Sequence, residues 1–435
     1  MKEGGYMGLT ITVIGGGSSY TPELMNGLLL RAERLPTESV RLVDIPEGRR
    51  RLEVVAGLLQ RMAAKHGSRV KIETYLDRRR ALRGADVVIS QFRVGGLRAR
   101  SLDEKLPLRH GVIGQETTGP GGFAKALRTI PVALEIARDV MEVCPEAWLL
   151  NFTNPAGMVT EAVLRHVPGV KCLGLCNVPL SMVRAVCDRL GVAPSDVEVE
   201  MVGLNHLSWV RSLLVRGQDI LPAVLSSDLL KEELVRNIPG AEVPPGFLEA
   251  LGMMPSPYLL YYYLHPQMLA KMKADLRAGK GTRADVVRDV EERLFRSYAD
   301  PAVEDIPKEL AERGGSYYSE AALDVLDALV NDLGTRHVLN VPNGSATPDL
   351  PPQAVMEVTC VVDGEGARPL PIGPLPTAVR GLVQHVKAYE ELTIEAAVSG
   401  DREVALLALL NHPLVGDVTT ASGLLADILE KNQQL

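Results

Sequence analysis

A cysteine and a histidine each lie at the end of an apolar run in this sequence. Cys176 follows VKCLGL in the stretch GLCNVP, and His206 lies in GLNHLSW, with Asn205 beside it. Thiolate and imidazole are ligands for transition metals. Two such ligands would leave most of the coordination sphere to substrate and water, which suits Lewis-acid chemistry on hydroxyl groups. Because the two residues are far apart in the sequence and form no local motif, a packing thiol and a core histidine remain alternatives.

Two loops carry an unusual density of polar side chains. NFTNPAG places Asn151 and Asn154 directly after a predicted strand, and GQETTGPGG places Glu116 in a glycine-rich segment that cannot be core. Ligands of open α/β sheets bind beyond the carboxyl ends of the strands. We therefore predict that these residues face a ligand, although turn and helix-cap chemistry would use the same residue types.

The stretch PYLLYYYLHP contains a cluster of tyrosines. Tyr258, Tyr261 and Tyr262 share a face at helical spacing, a pattern more typical of a core than of catalysis. One of them could act as a base, but the spacing does not say which.

A glycine cluster after the first apolar run predicts a dinucleotide site. VIGGGSSYTPEL matches the G-x-G-x-x-G pattern in part, with Tyr20 at the place of the last glycine. Asp44 ends the next predicted strand, where a carboxylate binds the ribose of NAD and disfavours the 2′-phosphate of NADP. The arginines 49–51 could favour NADP instead, but they fit a solvated helix start. The predicted cofactor contacts are Gly15, Gly17, Ser18, Ser19, Asp44 and Asn151.

The elements that must position these residues alternate along the first half of the chain. Apolar runs at 9–14, 40–44, 69–73, 85–90, 147–151 and 170–175 are separated by helical periodicity, which indicates a parallel sheet covered on both faces. The predicted fold class is α/β. A Rossmann-like, doubly wound parallel sheet over 8–200 precedes an α+β domain over 201–435.

The second half is predicted to be richer in long helices. Helices are expected at 247–276, 283–298, 316–333, 376–399 and 401–411, with extended segments near 337–346 and 354–362.

Composition sets limits on partners and compartment. The chain has 435 residues, a net charge of −7 and five cysteines. No basic stripe with interleaved aromatic residues occurs, so nucleic acid is not an expected partner. The odd number of cysteines does not suggest a disulfide framework, and no long apolar run predicts a membrane span. We expect a cytoplasmic protein.

Together, these segments resemble the family 4 glycoside hydrolases, which are NAD- and metal-dependent. The order of the motifs is that of the family, and the resemblance covers nearly the whole chain: VIGGGSSYTPEL, GQETTGPGGF, NFTNPAG, GLCNVP, GLNHLS, PYLLYYY and RGGSYYSEAA. It is strongest to the 6-phospho-β-glucosidase branch. The family fold is similar to that of lactate and malate dehydrogenases.

The resemblance implies a redox route to glycoside cleavage. NAD would oxidise the C3 hydroxyl, a base would remove the acidified C2 proton, the aglycone would leave, water would add, and NADH would reduce C3 again. Cys176 and His206 match the family's metal ligands, with manganese as the usual metal. Tyr258 matches the base, and Glu116 matches the residue that raises its basicity.

The resemblance also implies the substrate contacts. Asn154, Arg100 and Arg283 match substrate-binding residues, and Arg283 is the one expected to hold the 6-phosphate. Asn177 is a further expected substrate contact. It stands where α-acting members carry an acidic aspartate, which favours β-glucosides such as cellobiose phosphate or aryl glycosides. A homodimer or homotetramer is expected by the same resemblance.

Three alternatives remain open. One is a family member with another specificity, for 6-phospho-α-glucosides, α-galactosides or α-glucuronides. Another is a 2-hydroxy-acid dehydrogenase, although this reading leaves Cys176 unexplained. The last is a non-catalytic NAD-binding protein, which the retained set of candidate residues disfavours.

Overall fold

The structure, a computed structural model, describes residues 8–227, 243–314 and 317–434. Six parallel strands form its first part, in the sheet order β3-β2-β1-β4-β5-β6. Their bounds are β1 (Leu9–Ile14), β2 (Thr37–Val43), β3 (Lys71–Tyr75), β4 (Val87–Ser90), β5 (Trp148–Asn151) and β6 (Lys171–Gly174). This is the strand order of a dinucleotide-binding fold, so the predicted Rossmann-like sheet is confirmed.

Helices connect these strands and cover the sheet. Their bounds are α1 (Thr21–Leu30), α2 (Arg49–Lys65), α3 (Arg78–Leu82), α4 (Gly96–Arg109), α5 (Gly119–Val143), α6 (Ala156–His166) and α7 (Asn177–Leu190). Because both faces are covered, β4 is buried at all four positions, which explains why it is an unbroken apolar run rather than an alternating one.

The second part adds strands to the same sheet and forms a smaller one. Its strands are β7 (Val197–Leu204), β8 (Leu207–Val215), β9 (Gln218–Asp219), β10 (Met254–Pro255), β11 (Thr335–Pro342), β12 (Val355–Asp363) and β13 (Gly366–Pro369). The last three extend the first sheet beyond β6 in antiparallel order, and β7 to β10 form the second sheet. The main sheet therefore crosses the predicted boundary at residue 200.

The remaining helices surround these strands. They are α8 (Leu221–Leu225), α9 (Phe247–Leu251), α10 (Leu260–Tyr263), α11 (His265–Arg277), α12 (Arg283–Ala299), α13 (Leu310–Arg313), α14 (Tyr318–Val330), α15 (Thr377–Ser399), α16 (Arg402–Leu410) and α17 (Val418–Asn432). The helix α17, which the sequence analysis did not predict, begins at the side-chain cap provided by Asp417.

The prediction of one helix over 247–276 is wrong. Gly252 adopts φ 66° and ends α9, and Pro255 lies in the short strand β10. A 3₁₀ turn over Pro257–Leu259 then leads into α10. Pro257, the first residue of this turn, is compatible with the start of the turn but not with a helix that continues through it.

None of the helices in the described ranges has the length and apolar character that a membrane crossing requires.

Candidate active site

The glycine loop after β1 is closely packed against its neighbours. Gly15 has φ 82°, and a Cβ there would lie 2.9 Å from the Cα of Phe92. The main-chain N–H of Gly17 donates to the carboxylate of Asp44, with an N–Oδ2 distance of 3.1 Å. Asp44 also accepts from the N–H of Ile45. The carboxylate therefore closes the loop and its own turn at the place where a ribose is expected.

The other predicted cofactor contacts differ in how free their side chains are. Ser18 is half-buried and accepts from the N–H of Tyr20. The hydroxyl of Ser19 donates to Glu291, and the amide of Asn151 donates to Thr160 and to the main chain of Thr153. Since the side chains of Ser19 and Asn151 are buried and hydrogen-bonded within the protein, they stabilise the conformation of the loops that carry them.

Cys176 and His206 are brought together in space. Cys176 lies between β6 and α7, and His206 lies in the tight turn between β7 and β8 with φ 63°. The Cys176 Sγ and the His206 Nε2 are 3.6 Å apart. Pro179 occupies the first turn of α7, where its missing N–H has no cost.

This pair fits a divalent cation. With the bond lengths of zinc, about 2.3 Å to sulfur and 2.1 Å to nitrogen, a tetrahedral angle would separate the two donors by about 3.6 Å. The His206 Nδ1 lies 2.8 Å from the hydroxyl of Thr117, the outer hydrogen bond that metal-bound histidines normally make. Burial lowers the pKa of His206 to about 3, so the imidazole is neutral, as a ligand must be.

Tyr258 lies directly against His206, the predicted metal ligand. Its ring stacks on that of His206, with centroids 3.8 Å apart and planes inclined by 13°. Burial and the nearby Cys176 raise the pKa of Tyr258, whereas Arg100 and a hydrogen bond from Thr117 lower it. A base here therefore depends on positive charge in its surroundings to be deprotonated near neutral pH.

Glu116 is surrounded by cations. Its carboxylate contacts Arg93 and Lys125, and its Oε2 lies 3.0 Å from the Nε of Arg100. These contacts bring together four residues that are not adjacent in the sequence. The sequence analysis missed Arg93, for which FRVGG offered no specific signal, and the suggested action of Glu116 on Tyr258 stays a prediction.

The two predicted substrate arginines lie in this cationic region. Arg100 also pairs with Glu104 at 2.7 Å, and Glu104 accepts the N–H of Ala284 at the start of α12. Arg283 begins that helix and donates to the carbonyl of Arg313 at 2.9 Å. Burial, Arg100 and Arg313 lower the pKa of Arg283.

The same crowding affects Arg93. Burial and the neighbouring Arg100 and Arg313 lower its pKa to about 9. The uncompensated positive charge in this part of the site favours an anionic ligand.

The two predicted substrate asparagines lie at the same edge of the sheet. Asn154 follows β5, is half-buried, and accepts the N–H of Ala156 at 3.3 Å. Asn177 is the first residue of α7, next to Cys176, and is also half-buried. The carboxyl ends of β5 and β6 thus present both amides toward the crevice where such sheets bind ligands.

Comparison with known proteins identifies the family. The model of the family 4 glycosyl hydrolases matches residues 10–192, and that of the family 4 C-terminal domain matches 201–415. The chain belongs to family 4 of the glycosyl hydrolases. The recognition made from the motifs is therefore confirmed, and the family 4 chain is a glycoside hydrolase rather than a 2-hydroxy-acid dehydrogenase.

Relatives of this family 4 chain match it over nearly its full length. A probable 6-phospho-beta-glucosidase of Bacillus subtilis is 46% identical, covering 98% of this chain and 97% of the relative. A 6-phospho-beta-glucosidase of Escherichia coli is 43% identical, covering 94% and 91%.

Solved structures agree with this placement. The 6-phospho-beta glucosidase of Thermotoga maritima with manganese, NAD+ and glucose-6-phosphate has a TM-score of 0.89 and 37% identity, and the match covers 98% of each chain. A malate dehydrogenase of Plasmodium falciparum has a TM-score of 0.55 at 13% identity, covering 90% of this chain and 99% of that one. This second likeness concerns the fold alone, and it confirms the predicted dehydrogenase-like architecture.

Proposed function

We propose that this family 4 enzyme hydrolyses 6-phospho-β-glucosides with the help of NAD and a divalent cation, Mn²⁺ by preference. The observation that carries the proposal is the geometry of Cys176, His206 and Tyr258. The thiol and the imidazole are spaced for one cation, and the phenol stacks on the imidazole. Relatives named 6-phospho-beta-glucosidases at 46% and 43% identity support the substrate class.

The chain's own residues divide the work of binding. The glycine loop and the N-terminus of α1 hold the pyrophosphate, since main-chain N–H groups and the helix dipole favour anions there. Asp44 binds the ribose. When bound, NAD takes up and returns the hydride of C3, and the cation held by Cys176 and His206 polarises the C2 and C3 oxygens.

Proton movement falls to Tyr258. Its phenol removes the C2 proton once positive charge near the site lowers its pKa, and Arg100 and Thr117 already act in that direction. Asn177 at the start of α7 has an amide that cannot serve as an acid for the leaving group. This supports β-glucosides as the substrates.

The cationic region is the proposed phosphate and sugar site. Arg100 and Arg283 bind the phosphorylated sugar, with the phosphate on Arg283, because a guanidinium fork matches phosphate geometry. Asn154 binds sugar hydroxyls from the end of β5. Glu116 keeps Arg100 in place, since their side chains are 3.0 Å apart.

We further propose that the enzyme works in the cytoplasm as a homodimer or homotetramer. Apolar side chains exposed on the last three helices support a subunit contact there: Val398, Leu407, Leu410 and Val418. Its substrate is a small phosphorylated disaccharide or aryl glycoside, and the net charge of −7 gives no support for nucleic acid as a partner.

The test is release of p-nitrophenol from p-nitrophenyl 6-phospho-β-glucoside, in a buffer that contains a phosphine reductant, NAD and Mn²⁺. We expect activity that disappears when either addition is omitted, with no net accumulation of NADH. Full activity after NAD and metal have been removed would overturn the mechanism. Activity confined to the α-anomer would overturn the specificity inferred from Asn177 and leave the mechanism in place.

A further inference from the structure

A buried carboxylate lies behind the proposed metal ligands. Glu357 is the third residue of β12 and is 1% exposed. Its Oε1 accepts from the amide of Asn205 at 2.8 Å, and its Oε2 accepts from the hydroxyl of Ser208 at 2.8 Å. Burying a carboxylate costs free energy unless hydrogen bonds compensate for the lost water. The hydrogen bonds of Glu357 are therefore essential to its placement, and its role depends on which segments they hold together.

The same carboxylate also reaches Cys176. The Cys176 thiol and the amide of Asn340 are its further hydrogen-bonding neighbours. Glu357 thus contacts the segment after β6, through Cys176, and both arms of the β7–β8 turn, through Asn205 and Ser208. Those two segments carry the two metal ligands.

The turn that carries His206 needs such an anchor. His206 has φ 63°, a left-handed conformation that costs free energy for a residue with a Cβ and persists only when its surroundings enforce it. The flanking residues Asn205 and Ser208 are both tied to Glu357, and the His206 ring is held on its other side by Thr117. The carboxylate fixes the backbone of the turn, and the hydroxyl fixes the rotation of the ring.

Glu357 is not arranged as a ligand itself. Within the described residues, no group of three or more His, Cys, Asp or Glu side chains has the arrangement of a metal site. The carboxylate oxygens are instead directed at the residues that flank and include the ligands.

We propose that Glu357 is a positioning residue of the metal site, which holds Cys176 and the Asn205–His206 turn at the separation that one divalent cation requires. The inference rests on the proposed function for the existence of that site. The family motifs used in the sequence analysis do not include this residue.

The test measures Mn²⁺ binding rather than turnover. Mn²⁺ affinity is measured by the electron paramagnetic resonance signal of free Mn²⁺, on wild type and on Glu357→Ala, Glu357→Gln and Asn205→Ala. NAD affinity is measured on the same samples. Glu161→Ala is the matched control, because Glu161 is a fully buried carboxylate on α6 whose partners, Lys387, Arg165 and the main-chain N–H of Val355, are not among the residues of the proposed metal site.

Loss of an outer-shell partner lowers metal affinity about 10- to 100-fold, so we expect that loss for Glu357→Ala and Asn205→Ala, with NAD affinity changed less than about twofold. Glu357→Gln keeps a hydrogen-bonding group for Asn205 and Ser208 and should recover most of the Mn²⁺ affinity. In the Co²⁺-loaded enzyme, the charge-transfer absorption band from the Cys176 sulfur to cobalt should weaken in Glu357→Ala and persist in Glu161→Ala.

Wild-type Mn²⁺ affinity in Glu357→Ala would overturn this role. If that variant does not fold, wild-type affinity in Asn205→Ala would do so instead. Wild-type protein that binds no Mn²⁺ would overturn the proposed metal site itself, which distinguishes the two failures.

Discussion

At the scale of single residues, Thr117 connects the proposed metal ligand to the proposed base. Its hydroxyl lies 2.8 Å from the His206 Nδ1 and also hydrogen-bonds to Tyr258. Thr117→Val should therefore lower Mn²⁺ affinity about 10- to 100-fold, since it removes the outer hydrogen bond of the histidine. Mn²⁺ titration and kcat/KM together measure the effect.

The matched control for this change is Thr129→Val. Thr129 is a buried threonine of α5 whose hydroxyl has no hydrogen-bond partner among the described residues. Its replacement should leave Mn²⁺ affinity unchanged. Equal effects of the two substitutions would show that Thr117 has no special part in the site.

Arg283 is the residue on which the phosphate prediction depends. Arg283→Gln should raise KM for the 6-phospho-β-glucoside about 10- to 100-fold, the value of one hydrogen bond to a charged group, with a smaller change in kcat. The rate of cleavage of the unphosphorylated glucoside should be the same in Arg283→Gln as in wild type. Arg288→Gln is the control on the same helix, because Arg288 pairs with Asp285 on the surface. An unchanged KM in Arg283→Gln would contradict the assignment.

The sequence was most informative about residues that follow strands. The positions of Cys176, Asn154 and Asp44 could be predicted because the end of an apolar run defines one edge of a parallel sheet; their roles stay predictions. Arg93 and Glu357 could not be predicted in the same way. Their partners come from distant segments. Glu357 lies in an apolar strand and Arg93 in the loop after one, and neither has a local signal that distinguishes a site residue from one that only supports the packing.

At the scale of elements, the contact between α1 and α14 contains a carboxyl group, that of Glu23, whose ionisation is disfavoured by burial. Glu23 of α1 accepts the N–H of Ser319 at the start of α14, and burial raises the pKa of Glu23 to about 7. A raised carboxyl pKa contributes stability that is complete below the unfolded value of about 4.5 and is lost as pH rises through about 7.

Glu23→Gln cannot ionise and should escape this loss. The variant's stability relative to wild type should therefore improve by about 2 kcal/mol between pH 5 and pH 8. Thermal midpoints of both proteins at the two pH values measure it, with Glu53→Gln as the control for an exposed carboxylate on α2. A difference that does not vary with pH would contradict the raised pKa.

Helix boundaries show where element prediction succeeds and where it fails. Periodicity predicted helices between the strands of the first half, and α6 is one of them, because its apolar positions repeat without interruption. Over 247–276 the apolar and aromatic residues also repeat, but Gly252 and Pro255 divide the segment. Backbone restrictions therefore prevailed over side-chain pattern, and Tyr258 is presented by a 3₁₀ turn rather than by a helix face.

At the scale of the whole molecule, a buried ion cluster joins the two parts of the chain. Lys387 of α15 is 2% exposed and contacts Glu161 of α6 at 2.7 Å, Glu390, and the carbonyl of Val355 in β12. α6 belongs to the dinucleotide-binding part, whereas β12 and α15 belong to the second. Since β11 to β13 also continue the first sheet, the two parts share both hydrogen bonds and charge pairs.

This arrangement predicts that the molecule unfolds as one unit. Lys387→Met leaves Glu390 buried without its cation and leaves Glu161 paired with Arg165 alone, so it should lower the free energy of unfolding by about 3 to 5 kcal/mol. Lys271→Met removes a surface pair with Asp275 and should cost less than about 1 kcal/mol. Urea unfolding followed by tryptophan fluorescence and by circular dichroism should show one shared transition that moves as a whole in Lys387→Met. Two separate transitions, with only the later part of the chain affected, would mean that the shared sheet does not couple the halves and that the predicted division at residue 200 is a division between folding units.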